Sequence, residues 1–365
     1  MRIPLVDLNA QYENIKSEID NAIKEVINST DFIGNRNNRF LQTFEKNFSD
    51  YLKVNSCIGC GNGTDAIEIV LKALGIGVND EVILPAMSWI STSEAISSVG
   101  AKPVFVDINN DVYTINVQNI KEKINKKTKA IIPVHLYGYP ADMTYINEIA
   151  NQYNLFIIED CAQAHGASYM EQKVGTLGHA GTFSFFPAKN LGAFGDAGCI
   201  VTNDIELGEK CRLIANHGQI ERHNHILEGR NSRLDGLNAA VLNVKLKYLD
   251  KWVKSRRLNA DYYKSKLLDK NLILPKESNN YFHAYHLFVI QTEERDKIKY
   301  VLDKNGVDTS IHYPTPLPFL KAYKSLSYKN KDIPVATRVT NNILSLPMYP
   351  ELSKDNIDFI CSLIK

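Results

Sequence analysis

Residues 182–202 read Thr-Phe-Ser-Phe-Phe-Pro-Ala-Lys-Asn-Leu-Gly-Ala-Phe-Gly-Asp-Ala-Gly-Cys-Ile-Val-Thr. The apolar and aromatic run through Phe183, Phe185 and Phe186 predicts a strand that stops at Pro187, which cannot donate to a strand ladder. Lys189 follows, then Gly192, Gly195 and Gly198, and Cys199–Val201 starts a second strand. Lysine is rarely buried unless paired, so a lysine on a tight connection between buried strands has two readings. It is a surface turn residue, or a desolvated amine of the kind a Schiff-base lysine requires. The surrounding sequence decides between them.

Working outward, short apolar runs at 81–84, 103–106, 129–134, 155–158, 182–186 and 199–201 alternate with helical stretches. That alternation predicts an α/β fold with a large domain whose mainly parallel sheet is sandwiched by helices. The stripe of Ile15, Ile19, Ala22, Ile23, Val26 and Ile27 predicts an N-terminal helix over 11–28, and Phe40, Phe44 and Phe48 a second one. After residue 204 the pattern is helical over 204–216 and 234–268. The run 286–291 with helices at 294–304 and 353–364 predicts a smaller C-terminal α+β domain. The expected division is 1–245 for the large domain and 246–365 for the small one.

At 365 residues, 44% hydrophobic and 23% charged, the composition is that of an ordinary globular protein. Lys+Arg 42 against Asp+Glu 41 gives no bias toward nucleic acid or an anionic membrane. No apolar run reaches the roughly 20 residues of a membrane-spanning helix, and the first residues turn polar too soon for a signal peptide. The expected location is the cytoplasm. Six cysteines do not make a disulfide scaffold in a chain of this size. Cys57 and Cys60 form a C-x-x-C without the second ligand pair of a zinc site, and they read as packing.

Several stretches carry chemistry. Gly59-Cys-Gly-Asn-Gly-Thr64 fails a dinucleotide fingerprint because Thr64 occupies its third glycine position. It suits an anion cradle, with Gly63 allowing close approach and Thr64 at a helix N-terminus, although a plain capped turn also fits. Leu155–Ile158 ends in Glu159-Asp160, with Gln163 and His165 beyond. Ligands of parallel sheets lie outside the strands' carboxyl ends, which places Asp160 at a pocket edge. There it can pair with a protonated pyridine nitrogen or simply cap a helix. Trp89 follows the apolar run 81–84 and can stack on a flat ring. The loop from His217 to His225 lacks a recognisable metal ligand set and reads as a polar substrate-facing loop. Asn231 and Arg233 can grip phosphate or carboxylate, or lie on a solvated helix start. His312-Tyr313 puts two hydrogen-bonding rings before a proline-rich loop.

Together, Gly61-Asn-Gly-Thr-Asp-Ala, Glu159-Asp-Cys-Ala-Gln-Ala-His, Ser184-Phe-Phe-Pro-Ala-Lys-Asn-Leu-Gly, Gly195-Asp-Ala-Gly, Asn231-Ser-Arg and His312-Tyr-Pro resemble the DegT/DnrJ/StrS sugar-nucleotide aminotransferases. These are enzymes of the aspartate-aminotransferase-like fold type I that use pyridoxal phosphate. The resemblance runs from Ile3 through Met348, practically the whole chain. It implies that Lys189 is the Schiff-base lysine and proton carrier, that Asp160 holds the pyridine nitrogen, and that Gln163 lies near the ring's O3′. It implies Trp89 stacked on the ring, and Gly63, Thr64 and Ser184 on the phosphate, with Asn231 arriving from a partner subunit. Arg233, His312 and Tyr313, with Arg222 and His225, match the sugar-nucleotide site across a homodimer interface. The implied reaction moves the amino group of L-glutamate, through pyridoxamine phosphate, to a dTDP- or UDP-linked keto hexose. The product is an amino sugar for a surface polysaccharide or glycoconjugate. The stretch Asn216-His-Gly-Gln and the Arg222/His223/His225 loop are most similar to enzymes of 3-keto sugars, with 4-keto sugars as the alternative.

Two positions depart from the family pattern. Asn238 stands where glutamine is usual, and the loop Pro316-Leu-Pro318-Phe lacks a histidine that many relatives carry. Related sugar dehydratases have histidine at the position of Lys189. A non-catalytic regulatory descendant would be expected to have lost Asp160, Gln163 or Lys189, and all three are present.

Overall fold

The structure, a computed structural model, describes residues 2–34 and 36–364. The apolar runs fold into one seven-stranded sheet: β1 (Ser56–Cys60), β2 (Glu81–Pro85), β3 (Lys102–Val106), β4 (Thr128–Ile131), β5 (Phe156–Asp160), β6 (Ala180–Ser184) and β7 (Gly198–Thr202). Their spatial order is β1-β7-β6-β5-β4-β2-β3. The pairings β2/β3, β2/β4, β4/β5 and β5/β6 are parallel, and only β7 runs against its neighbours. The sheet is mainly parallel, as the alternation predicts.

Both faces are covered, which is why the central strands are apolar at consecutive positions. Val82 and Leu84 pack with Ala66, Ile69 and Val70 of α3 (Gly63–Ala73) on one face, and Ile83 packs with Ile146 and Ile149 of α6 (Met143–Tyr153) on the other. The phenylalanines Phe40, Phe44 and Phe48 of α2 (Arg39–Leu52) close that second face over Phe183 and Val201. The same alternation separates the C-x-x-C. Cys57 belongs to the cluster under α2 and Cys60 to the cluster under α3, so the two thiols lie on opposite faces of β1.

Two elements differ from expectation. β1 is hidden in the sequence by its glycine, yet Gly59 is required there. A Cβ at that position would sit 2.8 Å from both Leu41 Cδ1 and Leu234 Cβ. The helical stretch 234–268 is two helices, α8 (Gly236–Leu246) and α9 (Leu249–Leu267). The break contains neither glycine nor proline. There the amides of Lys247 and Tyr248 bond one residue short, to Val244 and Lys245, before Trp252 restarts the ladder on Tyr248.

Residue 245, where the sequence reading divides the chain, lies in the last turn of α8. Beyond it, β8 (Phe288–Gln291) and β9 (Ile343–Leu346) pair antiparallel. They share a buried cluster with Tyr263 of α9 and Ile357 and Ile360 of the last helix, and the N-terminal Ile3 joins the same cluster. No helix among the described residues is long and apolar enough to cross a membrane.

Candidate active site

The carboxyl ends of β2, β4, β5 and β6 open onto a cavity of about 380 Å³, within the range of small-molecule sites. Its lining includes Gly63, Thr64, Trp89, Asp160, Gln163 and Ser184, with Lys189, His312 and Tyr313. Sequence positions spread over 250 residues of separation thus converge on the sheet edge where a parallel α/β fold places ligands.

One wall is the start of α3. Asn62 caps it, its side-chain oxygen accepting the Asp65 N–H at 2.8 Å. The amides of Gly63 and Thr64 belong to the first turn, whose N–H groups have no partner within the helix. Arg230 clamps the outer side of this helix by ion pairs to Asp65 and Glu68, each 2.7 Å. Gly63 is a packing requirement as well, since a Cβ there would come 2.7 Å from Ser184 Cβ. That contact brings the helix amides and the Ser184 hydroxyl side by side, an arrangement suited to an anion.

The floor holds an amine and a carboxylate. Asp160 is buried, and its carboxylate accepts from the Thr92 hydroxyl at 2.7 Å and the Ala162 N–H at 3.1 Å. Thr92 is in turn 2.8 Å from Ser88. Removal from water pushes the Lys189 amine down to about 8, partly opposed by the negative charge of Asp160. A lysine with that proton affinity exists in part as the neutral base near pH 8, which a nucleophile or proton carrier needs.

Gln163 is fixed at both ends of its amide. Its oxygen accepts the Tyr137 N–H at 2.8 Å and its nitrogen donates to the Tyr313 hydroxyl at 2.8 Å. Having accepted that bond, the Tyr313 hydroxyl keeps its own proton available for a ligand. Its ring lies 5.5 Å from Trp89. The His312 ring is tied through Nδ1 to Ser345 Oγ at 2.8 Å. Burial, with the nearby Lys189, lowers its pKa to about 4, so it is neutral.

Four expected residues lie outside this cavity in the same chain. Arg222 and His225 are exposed on a short hairpin formed by Gln219–Glu221 and Asn224–His225, and Asn231 is exposed on the segment before α8. Arg233 is half-buried and lines a separate small cavity with Arg212 and Asn216. Ser232 between them ties this segment to the pocket wall, accepting the Gly61 N–H at 3.0 Å. The paired acids Glu159 and Asp160 also part company, because successive strand residues face opposite ways. Glu159 is fully buried away from the cavity, accepting N–H groups of Gly175, Leu177 and Gly178 and meeting His135 at 2.9 Å. His165 packs against Phe183 and Phe185 instead of lining the site.

Sequence reasoning assigned no part to Thr92, Ser88 or Asp196, all of which line the cavity. Thr92 carries a weak signal, a hydroxyl one helical turn past Trp89. Asp196 sits between two glycines of the quoted stretch and enters the family resemblance only as part of Gly195-Asp-Ala-Gly, with no role of its own.

A family model described as the DegT/DnrJ/EryC1/StrS aminotransferase family matches residues 13–365. The chain belongs to this family. It is a sugar aminotransferase that uses pyridoxal phosphate. It is 43% identical to the pleiotropic regulatory protein of Geobacillus stearothermophilus over 364 residues, covering 99% of this chain and 97% of the relative. It is 41% identical to a UDP-N-acetyl-3-dehydro-alpha-D-glucosamine 3-aminotransferase of Acidithiobacillus ferrooxidans, covering 100% of this chain and 97% of the relative. Among solved structures it resembles S. venezuelae DesV in complex with a ketimine intermediate, with a TM-score of 0.96 and 38% identity, covering 100% of this chain and 97% of that one.

Proposed function

We propose that the chain transfers the amino group of glutamate to a 3-keto sugar carried on a nucleotide, UDP or dTDP, as a homodimer with two shared sites. The observation that carries this is the convergence of Lys189, Asp160 and the first turn of α3 on one cavity. The residues fit the cofactor group by group: an amine with lowered proton affinity, a carboxylate held by Thr92, free helix amides beside a serine, and an indole at the rim.

Pyridoxal phosphate, when bound, supplies an electron sink for the charge left when a proton leaves carbon. The protein's own part follows from its residues. Gly63, Thr64 and Ser184 hold the phosphate, and Asp160 favours a protonated ring nitrogen, about 1.4 kcal/mol for each pKa unit. Thr92 keeps that carboxylate oriented. Trp89 would cover a face of the bound ring, and Gln163 with Tyr313 would border its edge. Lys189 Nζ takes a proton from one carbon and returns it to another, which a base poised near neutrality does efficiently.

The shared site is supported by what the cavity lacks and exposes. Asn231, Arg222 and His225 lie outside it, and Arg233 faces another cavity, although their chemistry suits a phosphate- and sugar-bearing ligand. Large apolar side chains are exposed both at the cavity, Trp89 and Phe186, and on or beside the 219–225 hairpin, Ile220 and Ile226, as the two sides of an interface would require. In this reading Asn231 reaches the partner's phosphate, and Arg233, Arg222 and His225, with His312 and Tyr313, bind the nucleotide sugar. The 3-keto preference rests on the Asn216-His-Gly-Gln stretch and on the Acidithiobacillus relative, whose name specifies a 3-dehydro sugar. The regulatory name of the Geobacillus relative raises a non-catalytic reading, which the assembled Lys189, Asp160 and Gln163 disfavour.

The test is a panel of UDP- and dTDP-linked 3-keto and 4-keto hexoses with glutamate, read as 2-oxoglutarate release. Turnover with 4-keto sugars alone would refute the regiochemistry, and no release with any sugar would refute the transfer. Mixing Lys189→Ala with Asn231→Ala protein tests the shared site. Partial return of activity is expected in the mixture, and none at any ratio would overturn it.

A further inference from the structure

Outside the cavity, the least expected buried side chain is Lys245 on α8. It is 2% exposed, and among the described residues it forms no ion pair with a carboxylate. Its Nζ donates to the Gly192 carbonyl at 2.8 Å and lies 4.6 Å from the centre of the Phe194 ring. A buried ammonium is costly unless its surroundings compensate, so both of its contacts need a reason. Both belong to the strap of residues 185–197 that carries Lys189.

Two turns earlier on the same face of α8, Asn238 touches this strap again. Its side-chain oxygen accepts the Phe194 N–H at 3.1 Å and its nitrogen donates to the Asp196 carbonyl at 3.5 Å. The strap has few bonds of its own, among them Lys189 N–H to Phe186 and Ala193 N–H to Phe185. It is also folded tightly. A Cβ on Gly192 would lie 2.2 Å from the Pro187 carbonyl oxygen. Lys189 stands before the held segment and Asp196 at its end, and both line the cavity.

We propose that Lys245 and Asn238 are positioning residues for the Lys189 amine, making α8 a splint that fixes the strap from behind. Lys245 anchors the middle of the strap by a charge-assisted bond, which is stronger than a neutral one. Asn238 anchors the end that carries Asp196. Neither residue lines the cavity, so each acts through the backbone that presents Lys189. The inference rests on Lys189 being the cofactor-linked lysine.

The experiment uses full-length protein loaded with pyridoxal phosphate, comparing wild type, Lys245→Met and Asn238→Ala. Methionine keeps the length and most of the volume while deleting the donor. The readouts are the dissociation constant of pyridoxal phosphate and the pH midpoint of the lysine-linked cofactor's visible absorbance. For Lys245→Met, the expected results are cofactor binding weakened on the order of tenfold, a displaced midpoint, and lower kcat with unchanged KM for the nucleotide sugar. Asn238→Ala should move the same quantities less. A variant that changes only its melting temperature, with cofactor affinity and midpoint as in wild type, would show a purely structural role and overturn the proposal. If Lys245→Met does not fold, Asn238→Ala decides by the same readouts. Borohydride trapping of wild type separates the two premises: no label on Lys189 defeats the assignment of Lys189, whereas label there with wild-type behaviour in both variants defeats only the splint.

Discussion

The proton affinity of Lys189 makes the most discriminating prediction. Burial lowers it from 10.5 to about 8, with Asp160 opposing the change. At pH 7 an amine of pKa 8 is neutral about 300-fold more often than one of pKa 10.5, by the ratio of their titration curves. Capture of pyridoxal phosphate by the apoprotein, followed by stopped-flow absorbance, should therefore exceed capture by a lysine reference peptide at neutral pH. The rate should climb with pH and level off above about 8. In Asp160→Asn the charge that favours the ammonium is gone, so the inflection should move below that of wild type. An inflection near 10, or one indifferent to Asp160, would refute the claim that desolvation at the cavity floor tunes this amine.

Other outcomes follow from the same contacts. Asp160→Asn should cut kcat by at least about 100-fold, because preorganised charge at the reacting centre is lost. Thr92→Val, which deletes the 2.7 Å bond to Asp160, should cost about tenfold in kcat with little change in melting temperature. Glu159→Gln should do the reverse. It replaces an acceptor of the Gly175, Leu177 and Gly178 amides and should lower stability by about 3 kcal/mol while cofactor affinity holds, as denaturant unfolding and absorbance titration would show. Lys245, lowered from 10.5 to about 8 by burial, makes a linkage prediction. Its folded-state pKa lies below its unfolded one, so the unfolded chain binds more protons between these values and stability rises with pH across that window. Lys245→Met should remove up to about 3 kcal/mol of that rise in apoprotein denaturant curves, and identical pH slopes would contradict the burial.

The sheet was legible in the sequence because strands buried on both faces leave uninterrupted apolar runs, as at Val82-Ile-Leu84. β1 was not, because the close approach of Leu41 and Leu234 demands glycine where a strand-forming residue would give the signal. Pocket residues at strand ends, such as Asp160 and Trp89, could be placed from position alone. Thr92 and Lys245 could not, since their importance lies in a partner distant in sequence, Asp160 in one case and Gly192 in the other. Glu159 shows the limit of motif reading. It adjoins Asp160, yet the pleat turns it to the opposite side of the sheet, where it is a structural anchor.

The reversal of β7 has a consequence for how this chain can vary. Because β6 and β7 are antiparallel neighbours, the segment between them leaves and re-enters the sheet at the same edge, the one facing the cavity. A parallel return would have needed a crossover carrying the chain to the far edge. The lysine-bearing segment is therefore a closed span with both feet on adjacent strands, and its length sets the reach of Lys189. Insertions there would change reach and register together, whereas loops at the opposite edge can lengthen without touching the chemistry. Under the proposed shared site, divergence in substrate choice is thus channelled into the segment that starts at His312-Tyr313, which lines the cavity, and into 217–233, which a partner subunit would bring to it, and neither suspends the amine.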